Sequence, residues 1–413
     1  LVGSQLKVVL NGEQIQDLDL SRTEMRDRPL MGYISFQDEA KRVWYRNVKI
    51  REVHTDKNTK VESDPENETL AEKFKVPENF KVKSFADSSL INNPLSLAID
   101  SNNQVYLAEV WRFHRGVEDT RQHNYWMEDE VRIMNLTDKL ALFTKWTDAG
   151  KFKPGHFTEF SDRVMKLHDE DGDGVCEKVT EFAGGFNDAL DGIGSSILFD
   201  EDNVLYYTNI PHVWKLKDKD GDGVAEDREK LVSGFGPRMG VSGHDLHGLA
   251  CGSDGRLYFS NGDRGYDIVS KEEKKFYSAS EGAVFRCEPD GSNLELYTTG
   301  NRNPQDLEFD QYGNLYTVDN NRGNGDRSRL CYLVEGGHYG WSSGYENLTQ
   351  FRRALKINER KGPRYEDPWI NEGAWRTQFE GQPPFCIPSL EHIDGGSAGL
   401  LFNSGESLGE KYR

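Results

Sequence analysis

The sequence predicts an all-β chain built around a β-propeller, and three observations carry that prediction. The run Leu97 to Tyr106 (LAIDSNNQVY) recurs as Ile197 to Tyr206 (ILFDEDNVLY), and a related hairpin pattern, L-x-x-x-x-(D/Y)-G-(R/N)-L-Y, closes on Tyr258 and again on Tyr316. Successive repeat tyrosines stand 100, 52 and 58 residues apart. Reading the first step as two units gives a period of about 50 residues, the length of a propeller blade. The runs are short and bounded by Gly, Asn and Asp, and no long stretch with helical periodicity competes with them.

Composition sets the limits. A chain of 413 residues is long enough for two or three domains, and its net charge of -19 argues against nucleic acid or an anionic membrane surface as partner. Nothing reads as a transmembrane segment or a signal peptide. The chain starts within a strand-like pattern and stops at Glu410-Lys411-Tyr412-Arg413 without a closing element, as a piece of a longer protein with a truncated last part would. The five cysteines (Cys176, Cys251, Cys287, Cys331, Cys386) are scattered and odd in number, so they are expected to be isolated thiols rather than a disulfide framework or a zinc site.

Taken in order, residues 1–53 alternate polar and apolar side chains in Leu6 to Glu13, Gly32 to Gln37 and Val43 to Ile50, with Asn11-Gly12 as a tight turn, and predict antiparallel strands. Residues 54–80 are polar, charged and carry two prolines, the composition of a linker. The propeller is assigned to 81–413. Within it, residues 110–160 interrupt the repeat with Arg112, His114, Arg115, His123 and Trp126, an insertion that reads either as a lid or partner surface or as irregular decoration.

Two acidic loops follow, starting 49 residues apart. The first offers Asp169, Asp171, Asp173 and Glu177. The second offers Asp218, Asp220, Asp222 and Glu226, with Glu229 at the twelfth position where the first loop has Thr180. Carboxylates at loop positions 1, 3 and 5 followed by a glycine suit a hard, oxygen-seeking cation such as calcium, held here as a structural clip. Each loop follows a strand-like run, so these are hairpin loops rather than helix-loop-helix units. Weak sites of this kind fill where calcium is about millimolar, which predicts an extracytoplasmic location.

The catalytic candidates sit at equivalent places in two repeats. His244, in Gly243-His244-Asp245-Leu246-His247-Gly248, precedes Tyr258 by 14 residues, and Arg302, in Asn301-Arg302-Asn303-Pro304-Gln305, precedes Tyr316 by 14. In an antiparallel hairpin the start of the first strand and the end of the second share an edge, so His244 is expected beside Asp263, and Arg302-Asn303 beside Asp319-Asn320-Asn321. A histidine beside an aspartate is held in one tautomer and acts as a general base near neutral pH. His247 is read as structural, facing a neighbouring blade. The glycine-rich Asn321 to Asp326 segment is suited to presenting backbone carbonyls.

These residues match a family. The runs GHDLHGLACGSDGRLYFSNGDRG, TGNRNPQDLEFDQYGNLYTVDNNRGNGD, VEGGHYGW and SAGLLFNSGESLGEKYR resemble the soluble quinoprotein glucose/sorbosone dehydrogenases, six-bladed propellers that bind pyrroloquinoline quinone (PQQ) and calcium. The W-R-F-x-R-G-V-E-D insertion, the D-x-D-G-D-G loops and the preceding strands resemble more narrowly the large membrane-bound dehydrogenases of planctomycetes. Residues 1–53 resemble the last strands of a concanavalin-like jelly-roll of the 3-keto-disaccharide hydrolase kind, through the L-N-G turn and the Y-I-S-F-Q and Y-R-N-V-K-I runs.

The resemblance implies a base at His244, its partner carboxylate at Asp263, quinone contacts at Arg302 and Asn303, and calcium-binding carbonyls near Gly323 and Asn324. The chain departs from the family at Asp191-Gly192-Ile193-Gly194-Ser195, where a glutamine is usual, and at Arg327 and Arg329, which stand in place of acids. The implied activity is oxidation of a carbohydrate hydroxyl with hydride transfer to the quinone, electrons passing to an acceptor such as a c-type cytochrome module outside this chain. Two other classes compete. One is a calcium-dependent lactonase-like hydrolase using Glu109, Asn209, Asn261 and Asp319, each three residues after its repeat tyrosine. The other is a non-catalytic glycan-binding or scaffolding propeller.

Overall fold

The computed structural model describes residues 5–10, 13–19, 51–52, 74–77, 80–323, 325–344 and 368–403. At the N-terminus β1 (Gln5–Leu10) and β2 (Glu13–Asp19) pair antiparallel on either side of Asn11-Gly12. The other strands expected before residue 50 lie outside the described residues, as does most of the linker. Two short strands, β3 (Arg51–Glu52) and β4 (Phe80–Lys81), pair with each other.

Four blade-like antiparallel sheets follow, giving an all-β, propeller-like arrangement with few helices. The first comprises β5 (Pro94–Ile99), β6 (Val105–Glu109), β7 (Asp162–His168) and β8 (Lys178–Phe186). Within the 110–160 insertion, between β6 and β7, lie α1 (Met127–Glu130) and α2 (Leu136–Asp148). The second sheet holds β9 (Gly194–Phe199), β10 (Leu205–Asn209), β11 (His212–Lys217) and β12 (Asp227–Ser233). The third begins with β13 (Leu246–Cys251) and β14 (Leu257–Asn261); a separate hairpin, β15 (Tyr266–Val269) and β16 (Lys275–Ser278), then intervenes before β17 (Gly282–Cys287) and β18 (Glu295–Asn301). The fourth consists of β19 (Pro304–Phe309), β20 (Leu315–Asp319), β21 (Ser328–Tyr332) and, after a short β22 (Gly337–His338) that joins the third sheet, β23 (Glu391–Ile393).

The expected six blades are therefore corrected to four among the described residues, and the reason is visible in the spacing. Tyr106 and Tyr206 lie in the second strands of adjacent sheets, so the 100-residue step is one blade enlarged by the insertion and not two blades.

The repeat has a physical cause at its turn. Asp100, Asp200 and Asp310 each accept backbone N–H groups two and four residues onward, and the residue three before each repeat tyrosine is left-handed: Asn103, Asn203, Gly255 and Gly313. Only Asn and Gly adopt that conformation readily. The tyrosine hydroxyl then bonds back to the turn, Tyr206 to Asp200 at 3.2 Å, Tyr258 to Asp254 at 2.9 Å and Tyr316 to Asp310 at 3.1 Å. Apolar layers fill the space between sheets. Tyr106, Phe182 and Phe186 pack with Leu205 and Tyr207 between the first two, Phe235, Phe259 and Phe285 lie between the second and third, and Tyr258, Leu307 and Cys331 join the third to the fourth. The five cysteines are free thiols.

The insertion is folded rather than decorative. Asn135 caps α2 by accepting the N–H of Asp138 at 2.9 Å, and Trp126, Ile133, Leu142, Phe143 and Phe157 form a core of their own with Met239 of the propeller. Buried Glu118 bridges its two ends, accepting from His123 Nε2 at 2.9 Å and His156 Nε2 at 2.7 Å. Burial opposes its ionisation, but the two histidines outweigh this and hold its carboxyl at about 2, below the ordinary 4.5. A carboxyl depressed on folding contributes stability that is complete above its unfolded pKa and is lost as pH falls through its folded one. We expect Glu118→Gln to melt several degrees below the parent near pH 6, with the gap closing as both are taken below pH 4.5, as thermal melts across that range would show.

Candidate functional site

His244 stands just before β13, with Asp245 between, and Asp263 follows β14 after Gly262; pairing of Leu246 with Asn261 puts both at one sheet edge. The His244 Nδ1 to Asp263 Oδ1 distance is 2.7 Å, with both side chains buried. Asp263 accepts a second bond, at 2.7 Å, from Trp341 Nε1, and its N–H donates to the Arg302 carbonyl at 2.8 Å. Burial alone would raise this carboxyl, but His244, Arg302 and the Trp341 donor outweigh it and keep Asp263 below the usual carboxylate range. With Nδ1 turned to an ionised carboxylate, a neutral His244 carries its proton there. Nε2 is then the ring nitrogen left without a hydrogen bond among the described residues.

Arg302 and Asn303 occupy the matching edge of the next sheet. Their N–H groups donate to Asp319 at 3.1 and 2.7 Å, and Asp319 is itself neutralised by buried Arg329. The Arg302 guanidinium lies 5.4 Å over the Trp341 ring and donates to the Asn320 and Asn321 carbonyls at 3.3 and 2.7 Å. Asn303 Nδ2 reaches across to the Gly243 carbonyl at 3.1 Å, joining the edge that carries His244 to the edge that carries Arg302, while its buried Oδ1 has no partner among the described residues. Gly323 and Gly325 are left-handed, with open space where a Cβ would stand. Asn324 lies outside the described residues. Beneath this loop Asp326 accepts from the Arg322 N–H at 2.8 Å and from Trp369 Nε1 at 3.2 Å.

Other predicted residues have structural partners. His247 is bound at both ring nitrogens, to Ser195 Oγ of the second sheet and to the Gly243 carbonyl, each at 2.7 Å, so it braces the turn. Glu109 pairs with Arg163 at 2.6 Å, as Asp319 does with Arg329, so the two acids suggested for an axial metal are each committed to an arginine. Of the two arginines standing where the family has acids, Arg329 is buried against Asp319 and Arg327 pairs with Asp394 at 2.9 Å.

Both acidic loops are built as hairpin connections on the outer strands of the first two sheets. In each, four carboxylates bring one oxygen apiece to within 4.8 Å of one another: Asp169, Asp171, Asp173 and Glu177, then Asp218, Asp220, Asp222 and Glu226. Glu229 does not join them; it lies on β12 and pairs with Lys271 at 3.2 Å, because the chain has already entered a strand by the twelfth position. The eighth residue of each loop tucks inward, Cys176 N–H donating to the Phe85 carbonyl at 2.6 Å and Ala225 N–H to the Phe182 carbonyl at 2.8 Å. The second loop thus ties the second sheet to the first.

Trp341 was present in the sequence motif without a role; its closeness to Asp263 is a tertiary contact with no local signal. A second ion pair also escaped notice: Asp245 and Arg264, the residues just after His244 and Asp263, pair with each other in the interior.

A family model described as a domain of unknown function (DUF7133) matches residues 66–354, and a 3-keto-alpha-glucoside-1,2-lyase-like domain matches residues 1–51. Quinoprotein glucose dehydrogenase B of Acinetobacter calcoaceticus is 29% identical over 139 residues, covering 27% of this chain and 29% of that protein, so the match spans less than a third of the relative's length. Among solved structures, the PQQ-bound aldose sugar dehydrogenase of Streptomyces coelicolor is 15% identical with a TM-score of 0.38, covering 61% of this chain and 63% of that one. The pyranose dehydrogenase PQQ domain of Coprinopsis cinerea is 11% identical with a TM-score of 0.35, covering 59% of this chain and 51% of that one.

Removing the indole donor tests the cluster without touching His244. Trp341→Phe leaves a buried carboxylate oxygen of Asp263 unpaired and should cost about 1–3 kcal/mol in chemical denaturation. A loss under about 0.5 kcal/mol would show that water replaces the indole freely.

Proposed function

The chain belongs to the DUF7133 family, and we propose that its propeller is an oxidoreductase of the sugar dehydrogenase type, removing hydrogen from a carbohydrate hydroxyl or hemiacetal. The observation that supports this most is the buried His244–Asp263 pair, which leaves ring Nε2 without a hydrogen bond among the described residues, with Arg302 on the matching edge of the next sheet. The segment shared with a quinoprotein glucose dehydrogenase supports it further. His244 Nε2 would take the hydroxyl proton, while Asp263 holds the tautomer and stabilises the imidazolium formed.

The residues present fit a planar anionic quinone. Arg302 is fixed by its carbonyl contacts, Asn303 holds an unpaired buried oxygen nearby, and the left-handed Gly323 leaves backbone accessible. PQQ together with calcium, when bound, supplies the hydride acceptor. Arg302, Asn303, Gly323 and Asn324 are the proposed contacts. Arg302 would place positive charge where negative charge develops.

The two carboxylate clusters are proposed as separate, structural calcium sites. Their donors are all oxygen, and four acids so close repel one another without a cation. Such sites favour an extracytoplasmic protein, and the electron acceptor is proposed to lie outside this chain, as a c-type cytochrome module would. No helix among the described residues is long and apolar enough to cross a membrane.

Two measurements test this reading. A polypeptide carrying the complete propeller should bind PQQ in the presence of calcium and reduce an artificial electron acceptor with an aldose. His244→Ala should lower turnover at least about 100-fold while leaving PQQ affinity within a few-fold. No binding and no dye reduction would sink the dehydrogenase reading. Separately, millimolar calcium should raise the melting temperature by several degrees, and Asp220→Asn together with Asp171→Asn should abolish that rise; an unchanged response would remove calcium from both loops.

A further inference from the structure

Three buried charges of the insertion, Asp119, Glu130 and Lys139, converge on one short piece of the propeller, the segment 236–242 that leads into His244. Glu130, wholly buried at the end of α1, accepts the N–H groups of Met239 and Gly240, all at 3.1 Å. Asp119 accepts the N–H and the hydroxyl of Ser242 at 3.1 Å. Lys139 on α2 donates to the Gly236 carbonyl at 2.9 Å, and the Thr120 N–H to the Gly240 carbonyl at 3.1 Å. The side chain of Met239 is drawn into the insertion's own core.

This segment needs such support. Gly234, Gly236, Gly240 and Gly243 are all left-handed, so its backbone has unusual freedom when unsupported. It contains no strand; on the propeller side its Gly236 and Arg238 N–H groups donate to the Gly265 and Arg264 carbonyls at 2.8 and 3.0 Å, and it sets where His244 begins, since the His244 N–H donates to the Val241 carbonyl at 3.2 Å. A base works only when held within about half an ångström of its productive position.

We infer that the 110–160 insertion is a latch for the catalytic histidine, with Glu130 and Asp119 as positioning residues that hold segment 236–242 and, through it, the His244–Asp263 pair. This rests on the reading of His244 as the base, but the geometry can be tested without turnover. Loss of either carboxylate lets the segment relax and loosens the hydrogen bond from His244 Nδ1. Glu118 provides the contrast, since it is just as deeply placed in the same insertion but its side chain binds only His123, His156 and the Gly116 N–H, all inside the insertion.

The experiment is a pH titration of the whole chain labelled with ¹⁵N-histidine, with His244 assigned through His244→Gln. Glu130→Gln and Asp119→Asn are expected to shift the His244 pKa by about half a unit or more and to broaden or lose its Nδ1 proton signal, as weakened contact with Asp263 requires. Glu118→Gln is expected to lower the melting temperature and leave the His244 signals where they were. His244 signals unchanged in both latch variants would overturn the inference, as would an equal displacement by Glu118→Gln, which would reduce the effect to general loosening. Absence of sugar oxidation would refute the dehydrogenase reading and leave this result standing.

Discussion

Buried carboxylates that collect backbone N–H groups are what the rest of this structure depends on. Where strands end at the inner edges of the sheets, N–H groups leave their ladders in places water does not reach, and each would cost roughly 1–3 kcal/mol if left unpaired. Asp162 accepts from Trp111 and Arg112 at the root of the insertion and from Gly194 at the start of the second sheet, so one side chain joins three segments. Asp319 does the same for Arg302 and Asn303, and Glu130 and Asp119 for segment 236–242. Burial is felt in return. The Asp162 carboxyl is pushed up to about 6 by desolvation in spite of its three N–H donors, whereas Asp319 stands against Arg329.

Asp263 departs from this pattern, and the departure marks the site. Both of its oxygens accept from side chains, an imidazole and an indole, rather than from backbone. The adjacent Asp245–Arg264 pair has the same spacing and the same burial but joins an acid to a guanidinium, with Asp245 Oδ2 and Arg264 Nε and Nη2 left without hydrogen bonds among the described residues. Two successive residues at each of two strand ends thus build two buried pairs, an acid with a guanidinium and an imidazole with an acid. Trp341 links the second to Arg302 by donating to Asp263 and lying under the guanidinium.

Much of this was legible in the sequence, because it is local. The repeat follows from an aspartate that accepts turn N–H groups, an Asn or Gly in the left-handed position, and a tyrosine that returns to the aspartate, all within a few residues. Antiparallel pairing then carries the inference from the turn to the opposite edge, which is how His244 could be expected beside Asp263. The acidic loops were legible for the same reason, except for Glu229, where helix-loop-helix spacing does not transfer to a hairpin that has already become strand. The blade count failed because a folded 50-residue insertion has the length of one repeat. Nothing in Asn135 and the modest amphipathicity of α2 was strong enough to announce a helix there.

Local chemistry in the sequence by itself determined the strand pairs, the turns, the carboxylate loops and the edge on which the histidine sits, since each depends on residues near one another along the chain or on the two-residue period of a strand. Only the tertiary structure decided how many sheets there are and that Trp341 meets Asp263. It also decided that the charges of the insertion, Asp119, Glu130 and Lys139, converge on segment 236–242. Those contacts join residues about 80 to 120 apart, and their cause is the need to satisfy polar groups buried between units, which no periodicity along a single chain records.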